Sequence, residues 1–499
     1  MIQPPARSLC IQIDPDARTG LQQQVYAGIR RAILDGTASP GTRMPSSRAL
    51  AMDLGISRTT AVLALDQLVA EGYLTARRAM GTFVVSELPD VAPEQRIVRP
   101  RQPPRHPPVS SRGAQLGAAR PSVRLGGPPR AFRLGVPALD LFPVRTWAQI
   151  ATRRLKRVTV AQLDYGEAVG LRELRQAIAD HVSTSRGTRC DAEQVFVVAG
   201  AQRGIEIVCE LLLDPGDRAW LEHPAYPGAR KALLSAGARI VPVRVDGEGL
   251  DVAAGARRGE DARLVYVTPS HQFPLGVPMS LPRRLALLEW ASAARAWIVE
   301  DDYDSEFRHG ARPIPCLHGL DGEGRVIYVG SFSKSLFPSL RLGFVIVPPD
   351  LRETLRAARL AADIHPPTLD QAALAEFIAD GHFDRHLRRM RGVYTERLEA
   401  LIEAVERSCR GALRLRGAST GLHVAADLEG ADDMAVYREA TSRGVEVMPL
   451  SAYSIDDADR PNGLVLGFGS VRPEAARAGA EQLAAAIEAA CGAASRETR

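Results

Sequence analysis

The run Ser331-Phe332-Ser333-Lys334-Ser335-Leu336-Phe337-Pro338-Ser339-Leu340-Arg341-Leu342-Gly343 decides how the larger part of this chain reads. It follows Val326-Ile327-Tyr328-Val329, an apolar run that predicts a buried strand. Lysine is nearly absent from the 499 residues: Lys156, Lys231 and Lys334 are the whole set. Lys334 stands among hydroxyls, with Ser331 and Ser333 before it and the guanidinium of Arg341 seven residues on. An amine held in place near neutral charge can form a Schiff base. Hydroxyls and a cation beside it suit the phosphate of a bound molecule. The plainer alternative is a surface lysine in a serine-rich loop.

Outward from this run, strands and helices alternate. Trp297-Ile298-Val299 predicts a strand, with Asp301-Asp302-Tyr303 at its carboxyl end, where ligands bind in open α/β sheets. Val195-Phe196-Val197-Val198 predicts another, followed by the turn Gly200-Ala201-Gln202-Arg203 and a helix to about Leu213. Such a turn presents backbone N–H groups and a helix N-terminus to a phosphate. A further strand falls within residues 262–268 and a helix over 281–294. This alternation implies an α/β domain with a mainly parallel sheet. From about residue 370 the chain carries long Ala/Leu/Arg-rich helices with strand-like pieces at 421–424 and 464–468, which predicts a smaller α/β subdomain.

The first 87 residues read differently. Leu21, Val25, Ile29 and Ile33 recur at helical spacing, so residues 21–35 form an amphipathic helix. Ser46 or Ser47 caps a second helix that Gly55 ends, and Ser57 caps a third running to about Gly72. Only Gly55-Ile56 separates them, which is a helix-turn-helix layout. Residues 73–85 add two short β-like runs, a wing. In such a unit the start of the third helix meets base edges. Here it offers Ser57, Arg58, Thr59 and Thr60; Arg48 near the start of the second helix can contact the backbone, Arg77 and Arg78 in the wing could meet phosphate or the minor groove, and Ser46, Ser47 and Gly81 are further DNA-binding candidates.

Charge supports this division. Residues 1–87 hold 9 Arg against 7 acids and residues 88–130 hold 8 against 2, so the net +5 is made in the first quarter of the chain and the rest is acidic. A polyanion could be held there. Residues 88–130 are rich in Pro, Arg, Ser and Gly, and predict a linker. The six cysteines are scattered with no C-x-x-C pair, so no zinc site or disulfide framework is predicted and a reduced, cytoplasmic setting fits. No signal peptide and no membrane-spanning stretch is read.

Two resemblances sharpen these readings. Residues 20–85 resemble the winged-helix domain of the GntR family. The matching runs include Pro40-Gly41-Thr42-Arg43-Met44-Pro45-Ser46-Ser47-Arg48-Ala49-Leu50-Ala51, Leu54-Gly55-Ile56-Ser57-Arg58-Thr59-Thr60 and Gly81-Thr82-Phe83-Val84. Ala79 stands where the family's wing often has Gly. From about 135 to 490 the chain resembles a fold-type I enzyme of pyridoxal 5′-phosphate (PLP), the aminotransferase class. That resemblance implies Lys334 as the Schiff-base lysine, Asp301 as partner of the pyridine nitrogen and Tyr303 of the phenolic oxygen. It implies phosphate contacts from Ser331, Ser333, Arg341 and the turn Gly200, Ala201 and Gln202, stacking by Tyr226, and Tyr165 lent to the partner subunit's phosphate. Asp302 is the lesser choice, because the matching spacing is Asp-x-Tyr. A GntR-type winged helix (1–87), a linker (88–130) and an aminotransferase-like domain (131–495) are together the architecture of the MocR subfamily. Glu300-Asp301-Asp302-Tyr303-Asp304-Ser305-Glu306-Phe307 and Pro269-Ser270-His271-Gln272-Phe273-Pro274 resemble that subfamily rather than a free aminotransferase.

The resemblance implies a homodimer that binds double-stranded operator DNA and senses PLP, or PLP joined to an amino compound, to control vitamin B6 or amino-compound genes. The alternative is a working aminotransferase with an appended DNA-binding domain. A transaminase holds its substrate's carboxylate with an Arg, usually on a strand late in the small domain. Here that strand reads Gly463-Leu464-Val465-Leu466-Gly467-Phe468-Gly469, and the nearest candidates are Arg460 and Arg472. Thr268-Pro269-Ser270-His271-Gln272-Phe273-Pro274 stands where aminotransferases carry an Asn-Pro-Thr-Gly motif, and Leu275 replaces the Thr common there. These departures favour sensing over turnover.

Overall fold

In the computed structural model the described residues are 11–14, 17, 19–78, 80–86, 88, 109–118, 130–310, 314–417 and 419–497. The chain forms two compact units, Met1–Pro107 and Pro108–Arg499.

In the first unit, α1 (Leu21–Leu34) buries Val25, Ile29 and Ile33 while Leu21 stays exposed at its start. The N-cap of α2 (Ser47–Leu54) is Ser46, whose Oγ accepts the Ala49 N–H at 3.2 Å. Gly55 closes that helix at φ 63°, a left-handed conformation that a side chain disfavours. Ser57 caps α3 (Arg58–Ala70), which stops two residues short of Gly72. β1 (Leu74–Arg77) and β2 (Gly81–Val84) pair antiparallel with Arg77 opposite Gly81, forming the wing. Ala79 lies outside the described residues. The apolar faces meet in one core that includes Val25, Ile29, Leu50, Leu65, Leu68, Leu74 and Val84.

The second unit is built on an eight-stranded sheet. Its strands are β3 (Val195–Val198), β4 (Arg218–His223), β5 (Arg239–Asp246), β6 (Gly249–Leu250), β7 (Leu264–Val267), β8 (Trp297–Asp302), β9 (Val326–Ser331) and β10 (Gly343–Ile346). The spatial order is β3-β10-β9-β8-β7-β4-β5-β6. The strands from β9 to β5 run parallel, and β10 is inserted antiparallel between β3 and β9. Helices cover both faces, which is why the central strands read as unbroken apolar runs. On one face Leu221, Tyr266 and Val299 pack with Ile205, Val208 and Leu233 of the helices Ala201–Leu212 and Pro227–Ser235. On the other, Trp220, Val265 and Ile298 pack with Leu287 and Ala291 of the helix Leu281–Ala294.

The smaller subdomain has a four-stranded antiparallel sheet, β11 (Leu413–Leu415), β12 (His423–Leu428), β14 (Gly463–Gly467) and β13 (Met448–Pro449), in that order. The helices His382–Cys409 and Pro473–Glu497 pack on it through residues such as Leu398, Leu401, Leu483 and Ile487.

Ser111–Ala118 is helical, inside the stretch whose composition predicts a linker. The Ser110 hydroxyl accepts the Gly113 N–H at 3.0 Å, and Arg112 donates to the Ser235 carbonyl at 2.9 Å. Prolines at 108 and 121 bracket this short segment and mask its helical character in the composition. Residues 89–108 and 119–129 of the same stretch lie outside the described residues. Among the described residues no helix is long and apolar enough to cross a membrane, and Cys190, Cys209, Cys316 and Cys409 are free.

Candidate functional site

Successive residues of a strand point to opposite faces, and at the end of β8 this separates two neighbouring carboxylates. Asp301 shares the face of Val299. It is 4% exposed, and its Oδ2 accepts the Tyr266 hydroxyl at 2.5 Å. Its Oδ1 is buried with no hydrogen-bond partner. Burial pushes the Asp301 carboxyl up to about 7; the Tyr266 hydrogen bond and Lys334 oppose this, while Asp302 and Asp304 add to it. Asp302 points the other way, into a closed ion pair with Arg186 at 2.6 Å and a hydrogen bond from Tyr328 at 2.6 Å. Burial acts to raise its pKa, but Arg186 and these hydrogen bonds bring it below the ordinary carboxylate value.

Lys334 is half-buried, and its Nζ donates to the Gly135 carbonyl at 2.6 Å. Gly135 adopts φ 75°, a conformation that a side chain disfavours, and a Cβ there would sit 2.8 Å from that nitrogen. Burial pushes the lysine's pKa down, against the pull of the Asp304 and Asp301 carboxylates. Beside it, Ser331 Oγ accepts the Ser333 N–H at 3.1 Å, which curls the loop. Arg341 adopts φ 51° and donates to the Ala199 carbonyl at 3.1 Å, which lays its guanidinium along the turn that begins the helix Ala201–Leu212. A Cβ at Gly200 (φ 84°) would meet that guanidinium at 3.0 Å. Arg341 thus meets the Gly200-Ala201 turn, and Ser331, with Ser333 curled onto it, pairs with Gly343, which lies against the same turn. Gln202 is partly committed elsewhere, donating to Glu206 and to the Gly228 carbonyl. Tyr226 caps the next helix, packs edge-on against Phe273 at 5.5 Å and donates to Gln202 at 3.4 Å. Tyr303 donates to the His271 carbonyl at 2.8 Å. Tyr165 stands apart, 78% exposed.

The sequence reading missed several members of this site. Tyr266 occupies one oxygen of Asp301. His271 Nδ1 lies 3.1 Å from both oxygens of buried Asp304, and the His423 ring stands 4.4 Å away. Ligand-type atoms of these three lie within 4.8 Å of one another. The contact of His271 with Asp304 has hydrogen-bond length, and Asp304 also accepts the Leu422 N–H at 3.2 Å. Burial drives the His423 imidazole down to about 3, so it is neutral. The placement of Asp304 two residues past the Asp301-Asp302 pair was the one available signal.

In the winged helix, Arg48, Arg58, Thr59, Arg77, Arg78 and Gly81 are exposed, Ser47 and Thr60 half-buried. The exposed hydroxyls of Ser46 and Ser57 serve as caps; Ser57 Oγ accepts the Thr60 N–H at 3.0 Å and bonds Thr60 Oγ1 at 2.8 Å. Arg77 lies over the Phe83 ring at 5.1 Å. Arg43, not singled out from sequence, bridges to Phe83 and would touch a Cβ at Gly81 at 3.0 Å.

Fold and site together define a winged helix joined to an aminotransferase-type domain. The models of known families agree: residues 21–84 match the gntR family of bacterial regulatory proteins, and residues 132–478 match aminotransferase class I and II. The chain is 39% identical over 476 residues, 95% of each chain, to the probable rhizopine catabolism regulatory protein MocR of Rhizobium meliloti. It is 32% identical to the pyridoxine biosynthesis transcriptional regulator PdxR of Corynebacterium glutamicum, over 93% of this chain and 95% of that one. Among solved structures it is similar to LysN, the α-aminoadipate aminotransferase of Thermus thermophilus complexed with N-(5′-phosphopyridoxyl)-L-leucine. The TM-score is 0.68 at 29% identity, covering 77% of this chain and 96% of that one. The chain belongs to the MocR subfamily of GntR-type transcriptional regulators.

Proposed function

We propose that this protein is a DNA-binding transcriptional regulator that holds PLP on Lys334 and reads PLP, alone or joined to an amino compound, as its signal. The observation that carries the reading is the buried Asp301 carboxylate, whose Oδ1 is unpartnered and which has no cation among the described residues bonded to it, while Asp302, whose Oδ1 is also unpartnered, already holds Arg186. An acceptor left without a donor at that depth is costly, and a protonated pyridine nitrogen is the donor it fits. The glycine cradle beside Arg341 fits a phosphate. When bound, PLP supplies an aldehyde that condenses with primary amines.

The chain's own groups divide the remaining work. Asp301 holds the ring nitrogen's proton, and Tyr266 fixes the carboxylate's orientation. Tyr303, whose hydroxyl donates to the His271 carbonyl, would turn that hydroxyl to the phenolic oxygen. Ser331, Ser333, Arg341, Gly200, Ala201 and Gln202 hold the phosphate, and Tyr226 covers the ring. Tyr165 serves the partner subunit in a homodimer. Its exposure, together with that of Val144, Val160 and Leu163, supports a covered face there. Arg58, Thr59 and Thr60 address the major groove, while Ser46, Ser47, Arg48, Ser57, Arg77, Arg78 and Gly81 address the backbone or shape the elements that do. A DNA partner supports a cytoplasmic setting.

The test is an absorption spectrum of the full chain with PLP, before and after a panel of amines and amino acids. A lysine-bound band that persists without conversion to the pyridoxamine form supports a sensor. Clean conversion by one amine would establish an aminotransferase instead.

A further inference from the structure

β14, the strand on which a transaminase would carry its carboxylate-binding arginine, is wholly buried and apolar. Val465 lies in a cluster with Leu134, Leu275, Ala425, Leu450 and Tyr453, and Phe273 packs against it. The cluster reaches the lysine. Leu134 precedes Gly135, whose carbonyl receives Lys334 Nζ, and Phe273 meets Tyr453 at 5.2 Å and Tyr226 at 5.5 Å. Both arginines that flank the strand are engaged elsewhere. Arg460 is 46% exposed and lies 3.9 Å from Asp433; Arg472 is 68% exposed and bonds Asp140 at 2.8 Å. An anionic group pressed against this wall would leave water without gaining a cationic partner from the strand or its two flanking arginines among the described residues.

The polar atoms the wall does offer are neutral. Tyr453 Oη and His423 Nε2 are buried with no hydrogen-bond partner. Burial raises the pKa of the tyrosine and lowers that of the histidine, so neither carries charge near neutrality. Two uncharged, unsatisfied groups on an apolar wall match hydroxyl, ether or similar functions on an otherwise apolar body.

We propose that the amino compound sensed here is a primary amine without a carboxylate, sulfonate or other anionic group, its body facing Val465, Phe273 and Leu134 and any neutral polar group meeting Tyr453 or His423. The inference rests on Lys334 holding PLP. The experiment uses the full chain loaded with PLP and matched pairs: 2-phenylethylamine with phenylalanine, isobutylamine with valine, ethanolamine with taurine. Kd is read from the change in the lysine-bound absorbance band. Each uncharged-body amine should bind at least tenfold more tightly than its anionic counterpart, and Val465→Arg should narrow or reverse that ratio. Should Val465→Arg fail to fold, the wild-type ratios decide alone. Equal or tighter binding of the anionic member, or a band that no amine moves, would overturn the inference while leaving PLP on Lys334. Absence of any lysine-bound band would instead overturn the reading beneath it, and this inference with it.

Discussion

The start of α3 and the end of β8 each present a short run of polar residues, and they use them in opposite ways. At Ser57-Arg58-Thr59-Thr60 the helix turns each successive side chain by about 100°, and the first turn stays on the surface. Caps consume the serine, and Arg58 and Thr59 stand in solvent. At Asp301-Asp302-Tyr303-Asp304 the strand splits neighbours between two faces, and every carboxylate is nearly sealed from water. The first surface is finished only by an external partner. The second is largely satisfied from within, by Tyr266, Arg186, Tyr328 and His271. Both aspartates leave Oδ1 without a hydrogen-bond partner among the described residues; what distinguishes them is that Asp302 holds the Arg186 guanidinium as counter-ion, whereas Asp301 has only the Tyr266 hydroxyl.

The largest effect expected on this contrast is at the lysine that faces Asp301. Lys334→Ala should abolish the visible PLP band completely while the winged helix keeps its helical circular dichroism; an unchanged spectrum would remove the assignment.

The two aspartates should then part company. Asp302→Asn leaves Arg186 buried without its charge, and should cost about 3–5 kcal/mol in a denaturant titration. Asp301→Asn should instead weaken PLP binding and change the pH dependence of the chain without PLP. Burial holds the Asp301 carboxyl near 7, above its unfolded value of about 3.9. The stability from this group is complete below pH ~4 and lost as pH rises through about 7. Asp301→Asn should flatten that loss relative to wild type; an unaltered slope in thermal melts across pH 4–8 would count against the buried protonated form.

Smaller effects are expected on the exposed run. Arg58→Ala should weaken specific operator binding by roughly 1–3 kcal/mol if the guanidinium reads a guanine. Equal loss on every DNA sequence would reduce it to a phosphate contact. Ser57→Ala should cost about 1 kcal/mol of stability by removing the cap, with DNA affinity following only as α3 frays.

Much of this was legible in the sequence, for a physical reason. Apolar periodicity and capping residues are local, so α1 to α3, the wing, and the helix Leu281–Ala294 could be read directly. β3, β7, β8 and β9 are buried on both faces and announce themselves as apolar runs. β4 and β5 begin and end on charged or polar residues, and β10 follows the lysine loop at once, so their apolar runs are less distinct. Pairing is non-local, so the antiparallel insertion of β10 had no sequence signal. The same holds for the site. Lys334, Asp301 and the Gly200 turn stand in recognisable local settings. Tyr266, Gly135, His423 and the bond from Leu422 to Asp304 join segments more than 30 residues from their partners, and only the fold brings them together.

The account's central claim is that occupancy at Lys334 is read out at the winged helix. The most direct test is a DNase footprint titration of the full chain on the intergenic DNA upstream of its own gene, with and without PLP, for wild type and Lys334→Ala. The account predicts that PLP shifts the wild-type binding curve or footprint and leaves the Lys334→Ala curve unmoved. Identical wild-type curves with and without PLP, under conditions where the visible band shows full loading, would contradict it.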